Sequence, residues 1–252
     1  MFQRIADEYR DRTVMVVGAG GIGRELVRLL SPLAKRLWVT DFDPRQLAQA
    51  VDIGSSAQLV TRVLDVADQT AIAELVAELE SASDIPDFLF YTAGVLTIEP
   101  FLETTADNWE RVVAINLNGA FFCTQAVARL MVPRQHGSIL LMGSIAGTKA
   151  RSGSRVNPVY NSTKAAIAAF TNATAMQLRP HGIRINCISP GPTATPMMDI
   201  QPERVHESVR EIALDRRLNL PAEVAETALF VAAHGRFTGE DVGMGGGAGL
   251  GG

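Results

Sequence analysis

One stretch constrains this chain more than any other. Val14-Met-Val-Val17 runs straight into Gly18-Ala-Gly20-Gly21-Ile22-Gly23, and that turn leads into Glu25-Leu-Val-Arg-Leu-Leu30. The first run is short and apolar, as a strand buried within a parallel sheet is. The last has the composition of a helix. Between them the glycines permit a tight turn and let a pyrophosphate approach the backbone, while the free N–H groups of the helix N-terminus face the phosphate charge. Glycine turns are common, so the motif gains its meaning from context: strand before, helix after.

The rest of the chain repeats that alternation. Apolar runs at 37–40, 60–64, 87–91, 138–142 and 183–188 read as strands, with a final segment from 238. Segments 44–58, 69–82, 107–131, 160–180 and 221–234 read as helices. Across 252 residues no linker, repeat or low-complexity insert precedes the glycine-rich tail. The pattern predicts an α/β fold: one doubly wound, Rossmann-type parallel sheet in three α/β/α layers, a single domain over 1–252. Within it, 145–159 is expected to form a substrate loop and 193–220 a lid.

Composition narrows the function classes. With 47% hydrophobic residues the chain has ample material for a core, and its net charge of −4 argues against nucleic acid as a partner. No apolar run reaches the length of a bilayer span, so no membrane partner is expected. Residues 1–12 are polar and charged, unlike a signal peptide. Cys123 and Cys187 sit in apolar runs without metal-ligand spacing, which predicts buried thiols, no metal and a cytoplasmic location.

In a doubly wound sheet, ligands gather at the carboxyl ends of the strands. Gly18, Asp41, Ala93, Ser144 and Pro190 fall there. Asp41 is placed to accept hydrogen bonds from the adenosine ribose and to repel a 2′-phosphate, since Asp43-Pro44 makes the better helix cap. Asp65-Val66 reads equally as an adenine flank or as a capping acid. Asn116, mid-helix in Val-Ala-Ile-Asn-Leu-Asn-Gly, is a candidate for a functional kink or a polar spot at a helix interface. Tyr160 and Lys164 lie four apart on one helix and so share a face. An ammonium there favours the phenolate and suits the tyrosine to proton exchange.

Taken together, these pieces resemble the short-chain dehydrogenase/reductase family over nearly the whole chain. The resemblance rests on the turn at 18–23, Asp65-Val66, Ala93-Gly94, Asn116, Ser144, Tyr160-x-x-x-Lys164 and Pro190-Gly191. It implies a tetrad: Tyr160 exchanges the proton, Lys164 lowers the tyrosine's pKa and holds the nicotinamide ribose, Ser144 binds the reacting oxygen, and Asn116 anchors a water relaying protons to Lys164. The implied cofactor contacts are Gly18, Gly20, Gly21, Ile22, Gly23, Asp41, Asp65, Val66, Ala93, Gly94, Pro190, Gly191 and Thr193, with Tyr160 and Lys164 shared.

The expected cofactor is NAD rather than NADP, with Arg24 and Arg45 the weak point as two cations able to swing towards a 2′-phosphate. Four features depart from the family pattern: a glycine turn one position shorter, with Val17 in the usual place of threonine; Tyr91-Thr92 before Ala93-Gly94; a lengthened 144–160 loop; and a tail with no acid before its glycines. The expected function is an alcohol or diol dehydrogenase, or the matching ketone reductase. A cis-dihydrodiol dehydrogenase and a 3-oxoacyl reductase share the same motifs. The alternative class is a non-catalytic dinucleotide-binding redox sensor. The family further implies a homo-oligomer, a tetramer or dimer, assembled through the helices at 107–131 and 157–180. Lys149, Arg151 and Arg155, in a loop free of acids, suit an anionic substrate.

Overall fold

The computed structural model describes residues 2–53, 57–148, 158–199 and 213–247. In chain order the elements are α1 (Phe2–Tyr9), β1 (Thr13–Val17), α2 (Gly21–Leu30), β2 (Arg36–Asp41), α3 (Pro44–Asp52) and β3 (Gln58–Val63). Then follow α4 (Gln69–Ser81), β4 (Phe88–Tyr91), α5 (Ala106–Val113), a π-helical turn (Ala114–Gly119), α6 (Ala120–Met131) and β5 (Gly137–Met142). The chain continues through α7 (Pro158–Leu178), β6 (Ile183–Pro190), α8 (Pro196–Asp199), α9 (Pro221–Ala233) and β7 (Asp241–Met244).

The strands form one seven-stranded sheet in the order β3-β2-β1-β4-β5-β6-β7. Every pairing is parallel. Alternation along the strands sends side chains to two cores. Val14, Val16, Leu37, Val39, Phe88, Phe90 and Leu140 meet α2 and α9 on one face. Met15, Val17, Trp38, Leu89, Tyr91, Ile139 and Leu141 meet α4, α6 and α7 on the other. Because helices cover both faces, the central strands are apolar at successive positions. Winding reverses between β1 and β4, and their carboxyl ends open a crevice there.

Polar punctuation sets the helix starts. The Asp43 carboxylate accepts the Arg45 N–H, with Pro44 at the first helical position of α3. Asp68 accepts from Thr70 and Ala71 at the start of α4, and Thr105 from Asn108 at the start of α5.

The structure differs from the sequence reading in three places. The helix expected over 44–58 ends at Asp52. The single helix expected over 107–131 is two α-helices joined by the π turn. Residues 2–9, read only as polar, form α1, whose Tyr9 is fully buried. Its ring stacks on Phe88 with centroids 4.6 Å apart, and its hydroxyl donates to Leu229 O at 2.7 Å. Among the described residues no helix is long and apolar enough to cross a membrane.

Candidate active site

The glycine turn is locked against the start of the loop after β4. The Gly18 N–H donates to Thr40 O at 2.7 Å, and Ala93 N–H donates to Val17 O at 2.9 Å. The Thr92 hydroxyl lies 2.7 Å from Gly18 O and 3.0 Å from Val17 O. Gly18 has φ +97°, and a Cβ there would stand 2.6 Å from Ala93 N, so only glycine fits. Asp41 closes the turn from the other side. One carboxylate oxygen accepts Ala19 N–H at 2.6 Å and the other accepts Asp43 N–H at 2.8 Å. The acid read from sequence as free for a ribose therefore already carries two backbone bonds; each oxygen keeps a further lone pair.

A cavity of about 650 Å³ fills the crevice between the two halves of the sheet. Of the residues read from sequence, Gly18, Gly20, Gly21, Ile22, Asp41, Asp65, Val66, Ala93 and Gly94 line it. Gly23 is buried beneath the turn instead, packed on Gly18 and Thr92. Pro190, Gly191 and Thr193 are not among the lining residues. The Thr193 hydroxyl turns back to Gly191 O at 2.9 Å, and Thr195, Pro196 and Met197 form the wall in its place. Phe42, Gln46, Leu64, Val95, Arg111, Ala114 and Ile115 also line the cavity and were missed. Most of them neighbour a residue that was found, but none carries a sequence signal of its own. Asp65 lines the cavity and holds its own turn by accepting Ala67 N–H at 2.9 Å, while the cap of α4 is Asp68 and not Asp65. A backbone-lined cradle with an acid at the end of β2 fits a dinucleotide.

The reacting end adjoins this cavity through Gly94. A Cβ on Gly94 would lie 3.4 Å from Asn116 Oδ1 and 3.6 Å from Lys164 Nζ. Asn116, 1% exposed, sits inside the π turn. Its Oδ1 accepts Val95 N–H at 2.8 Å, and its Nδ2 donates to Val95 O at 2.9 Å and Thr163 Oγ1 at 3.3 Å. The amide is thus spent clipping the β4 loop to α7, and its Nδ2 has no donor left for a water relay. A π turn also shifts the helical hydrogen-bond register. Tyr91, a departure from the family pattern, donates its buried hydroxyl to Ile115 O in that turn at 2.8 Å.

Ser144, at the end of β5, caps a short turn by accepting Ala146 N–H at 3.2 Å, and its hydroxyl bonds to Tyr160. Burial pushes the Tyr160 phenol above its ordinary value, and the Ser144 bond pulls it the other way. Lys164 Nζ lies 5.7 Å from the Tyr160 ring centroid and donates to Met142 O at 2.7 Å. Burial is the largest influence on the phenol in this structure. Burial brings the lysine itself down to about 8. Cys123 and Cys187 are free, buried thiols pushed up to about 12 by desolvation. Lys149, Arg151 and Arg155 lie outside the described residues.

Fold and cavity together have the form of a dinucleotide-binding oxidoreductase. The profile of a family described as enoyl-(acyl carrier protein) reductase matches residues 17–248. Galactitol 2-dehydrogenase (L-tagatose-forming) of Cereibacter sphaeroides is 32% identical over 86% of each chain. Human (3R)-3-hydroxyacyl-CoA dehydrogenase is 30% identical over 98% of this chain and 99% of its own. Among solved structures, the 3-oxoacyl-[acyl-carrier protein] reductase of Brucella melitensis with bound NAD superposes with a TM-score of 0.83 at 30% identity, covering 98% of this chain and 94% of that one. The chain belongs to the short-chain dehydrogenase/reductase family, and it is an oxidoreductase of alcohols and ketones.

The buried lysine generates a test. Its value in the folded chain is depressed from 10.5 to about 8, so between those values the unfolded chain binds the extra proton and stability rises with pH. Holding the charge costs about 3 kcal/mol at neutral pH. Lys164→Met should therefore be more stable than the parent at pH 7 by up to about 3 kcal/mol, with the gap closing towards pH 10.5. Urea unfolding of both proteins across that range measures it; a gap that does not change with pH would refute the assignment.

Proposed function

We propose that the chain is an NAD-dependent enzyme interconverting a secondary alcohol or diol and the matching ketone, with Tyr160 as the proton-exchanging group. The observation that carries this reading is the cluster of Ser144, Tyr160 and Lys164 behind Gly94, at the edge of the dinucleotide-shaped cavity. Bound there, the nicotinamide ring supplies or accepts the hydride. The chain's own residues handle the oxygen and its proton. Ser144 donates to the reacting oxygen and fixes its place beside the phenol. Tyr160 gives the proton in ketone reduction, and burial favours the protonated phenol that this requires. In alcohol oxidation the same oxygen takes the proton back.

The cost of the buried lysine argues against a pure binding module. A binder gains nothing from a desolvated ammonium on the face that carries a tyrosine bonded to serine. Preference for NAD over NADP is supported by Asp41, whose carboxylate lies on the cavity wall where a 2′-phosphate would meet its charge. The two cations raised against it from the sequence are engaged, and Arg111, which lines the cavity, donates to Asn108 Oδ1 at 3.4 Å. Arg45 forms a two-pronged pair with Asp43, and Arg24 donates to Gln49 Oε1 at 3.3 Å. A homotetramer is the proposed assembly. Its support is exposed apolar surface on α6 and α7, where Phe121 is 38% and Met176 64% exposed and the Phe121 ring meets Phe122 edge-on and Phe170 at a tilt.

Three outcomes follow. Tyr160→Phe should lower kcat by about 10²-fold or more while the affinity for NADH stays nearly unchanged, the mark of lost acid–base catalysis; normal turnover would overturn the role. Asp41→Ala should shift the ratio of kcat/KM for NAD over NADP by about tenfold or more towards NADP, the scale of one lost charge repulsion. A parent enzyme that already prefers NADP would contradict the cofactor assignment. Light scattering at micromolar protein should return four times the chain mass, and a monomer would rule out the assembly.

A further inference from the structure

We propose that Asn219 is a positioning residue for the dinucleotide cavity, holding the Thr195–Met197 wall against the glycine turn. Asn219 lies outside the cavity and acts through backbone. Its N–H donates to Pro192 O at 3.0 Å and its carbonyl accepts Ala194 N–H at 2.9 Å, making a parallel bridge with Thr193. Its Nδ2 donates to Met244 O at 2.7 Å. That same carbonyl accepts Gly191 N–H at 2.8 Å. Asn219 thus ties the segment after β6 to the end of β7, its backbone holding Pro192 and Ala194 and its side chain holding Met244.

The wall then hangs from a fixed point. Thr195 N–H bonds back to Thr193 O at 2.8 Å, and Met198 N–H to Thr195 O at 2.7 Å. The Thr195 methyl reaches to 2.9 Å from where a Cβ on Gly21 would stand, and Gly21 has φ +43°. Thr195, Pro196, Met197 and Gly21 all line the cavity. The chemistry requires an amide at 219. A carboxylate of the same shape has no proton for Met244 O and repels it, and a serine hydroxyl is one bond shorter.

This inference rests on reading the cavity as a dinucleotide site. Asn219→Asp keeps the shape and removes the donor; Asn219→Ser serves as the second variant. NADH binding is followed by fluorescence titration, AMP binding by calorimetry, and folding by thermal unfolding. Expected are a dissociation constant for NADH raised about five- to tenfold, the scale of one lost hydrogen bond, and a KM for NAD raised in step with kcat retained. AMP, which reports on the Asp41 end alone, should bind as before. Thermal destabilisation with unchanged NADH affinity would overturn the inference, as would NADH and AMP weakening alike, which marks general loosening. A parent enzyme that fails to bind NADH at all would overturn the reading of the cavity itself and this inference with it.

Discussion

The carboxylate of Asp41 holds the glycine turn in the shape on which the crevice depends. Its two oxygens take the Ala19 and Asp43 N–H groups, so the acid joins the exit of β1 to the exit of β2. Thr92 does the matching work from β4 by engaging Gly18 O, and the absence of a Cβ on Gly18 lets the two chain segments come that close. A turn one position shorter than the family pattern is thereby kept rigid from both flanks. Rigid backbone amides at a helix N-terminus are what make such a turn receptive to phosphate, because their orientation costs nothing on binding.

From that junction the fold reaches the reaction centre through a second compromise. A π turn is a less stable way to run a helix than continuous α geometry, and here two groups compensate it: the Tyr91 hydroxyl on Ile115 O and the Asn116 amide on Val95 and Thr163. The same bonds set the β4 loop, and with it Gly94, directly over Lys164. Burying that lysine with the Met142 carbonyl as its hydrogen-bond partner leaves its charge only partly compensated. The destabilisation is local to this buried group. A ligand hydroxyl accepting from Nζ would favour the charged form, raise the lysine's pKa and pull on the neighbouring phenol in the direction that the resemblance implies.

Much of this was legible in the sequence, and for a definable reason. Val14–Val17, Gly18–Gly23 and Glu25–Leu30 encode strand, turn and helix by short-range patterning, which needs no knowledge of partners. Asp41, Ala93 and Gly94 were found because strand ends are legible and ligands collect there. Asn116 announced itself as a poor residue for mid-helix, and the break occurs there, although no pattern distinguishes a π turn from a simple kink. α1 escaped because its signal is only Ile5 and Tyr9 at helical spacing within a charged segment, and its helix is fixed by burial of Tyr9 against Phe88.

What could not be read are properties of pairs far apart in the chain. Lys164 lies one helical turn from Tyr160, and that spacing suggested a cation acting on a phenol. Whether the cation wins depends on how deeply α7 is pressed onto β5, which sets the desolvation that opposes it; no spacing rule contains that depth. Thr193 was the implied contact, whereas Thr195 lines the cavity. Both are small hydroxyl residues just past Pro190-Gly191, and residues two apart in extended backbone share a face, so alternation does not separate them. Which of them faces the cavity is decided by the bridge from Thr193 to Asn219 and the bond from Asn219 to Met244. Those contacts join three separate segments of the chain, so the wall of the site is written in its tertiary pairing and not in the motif beside it.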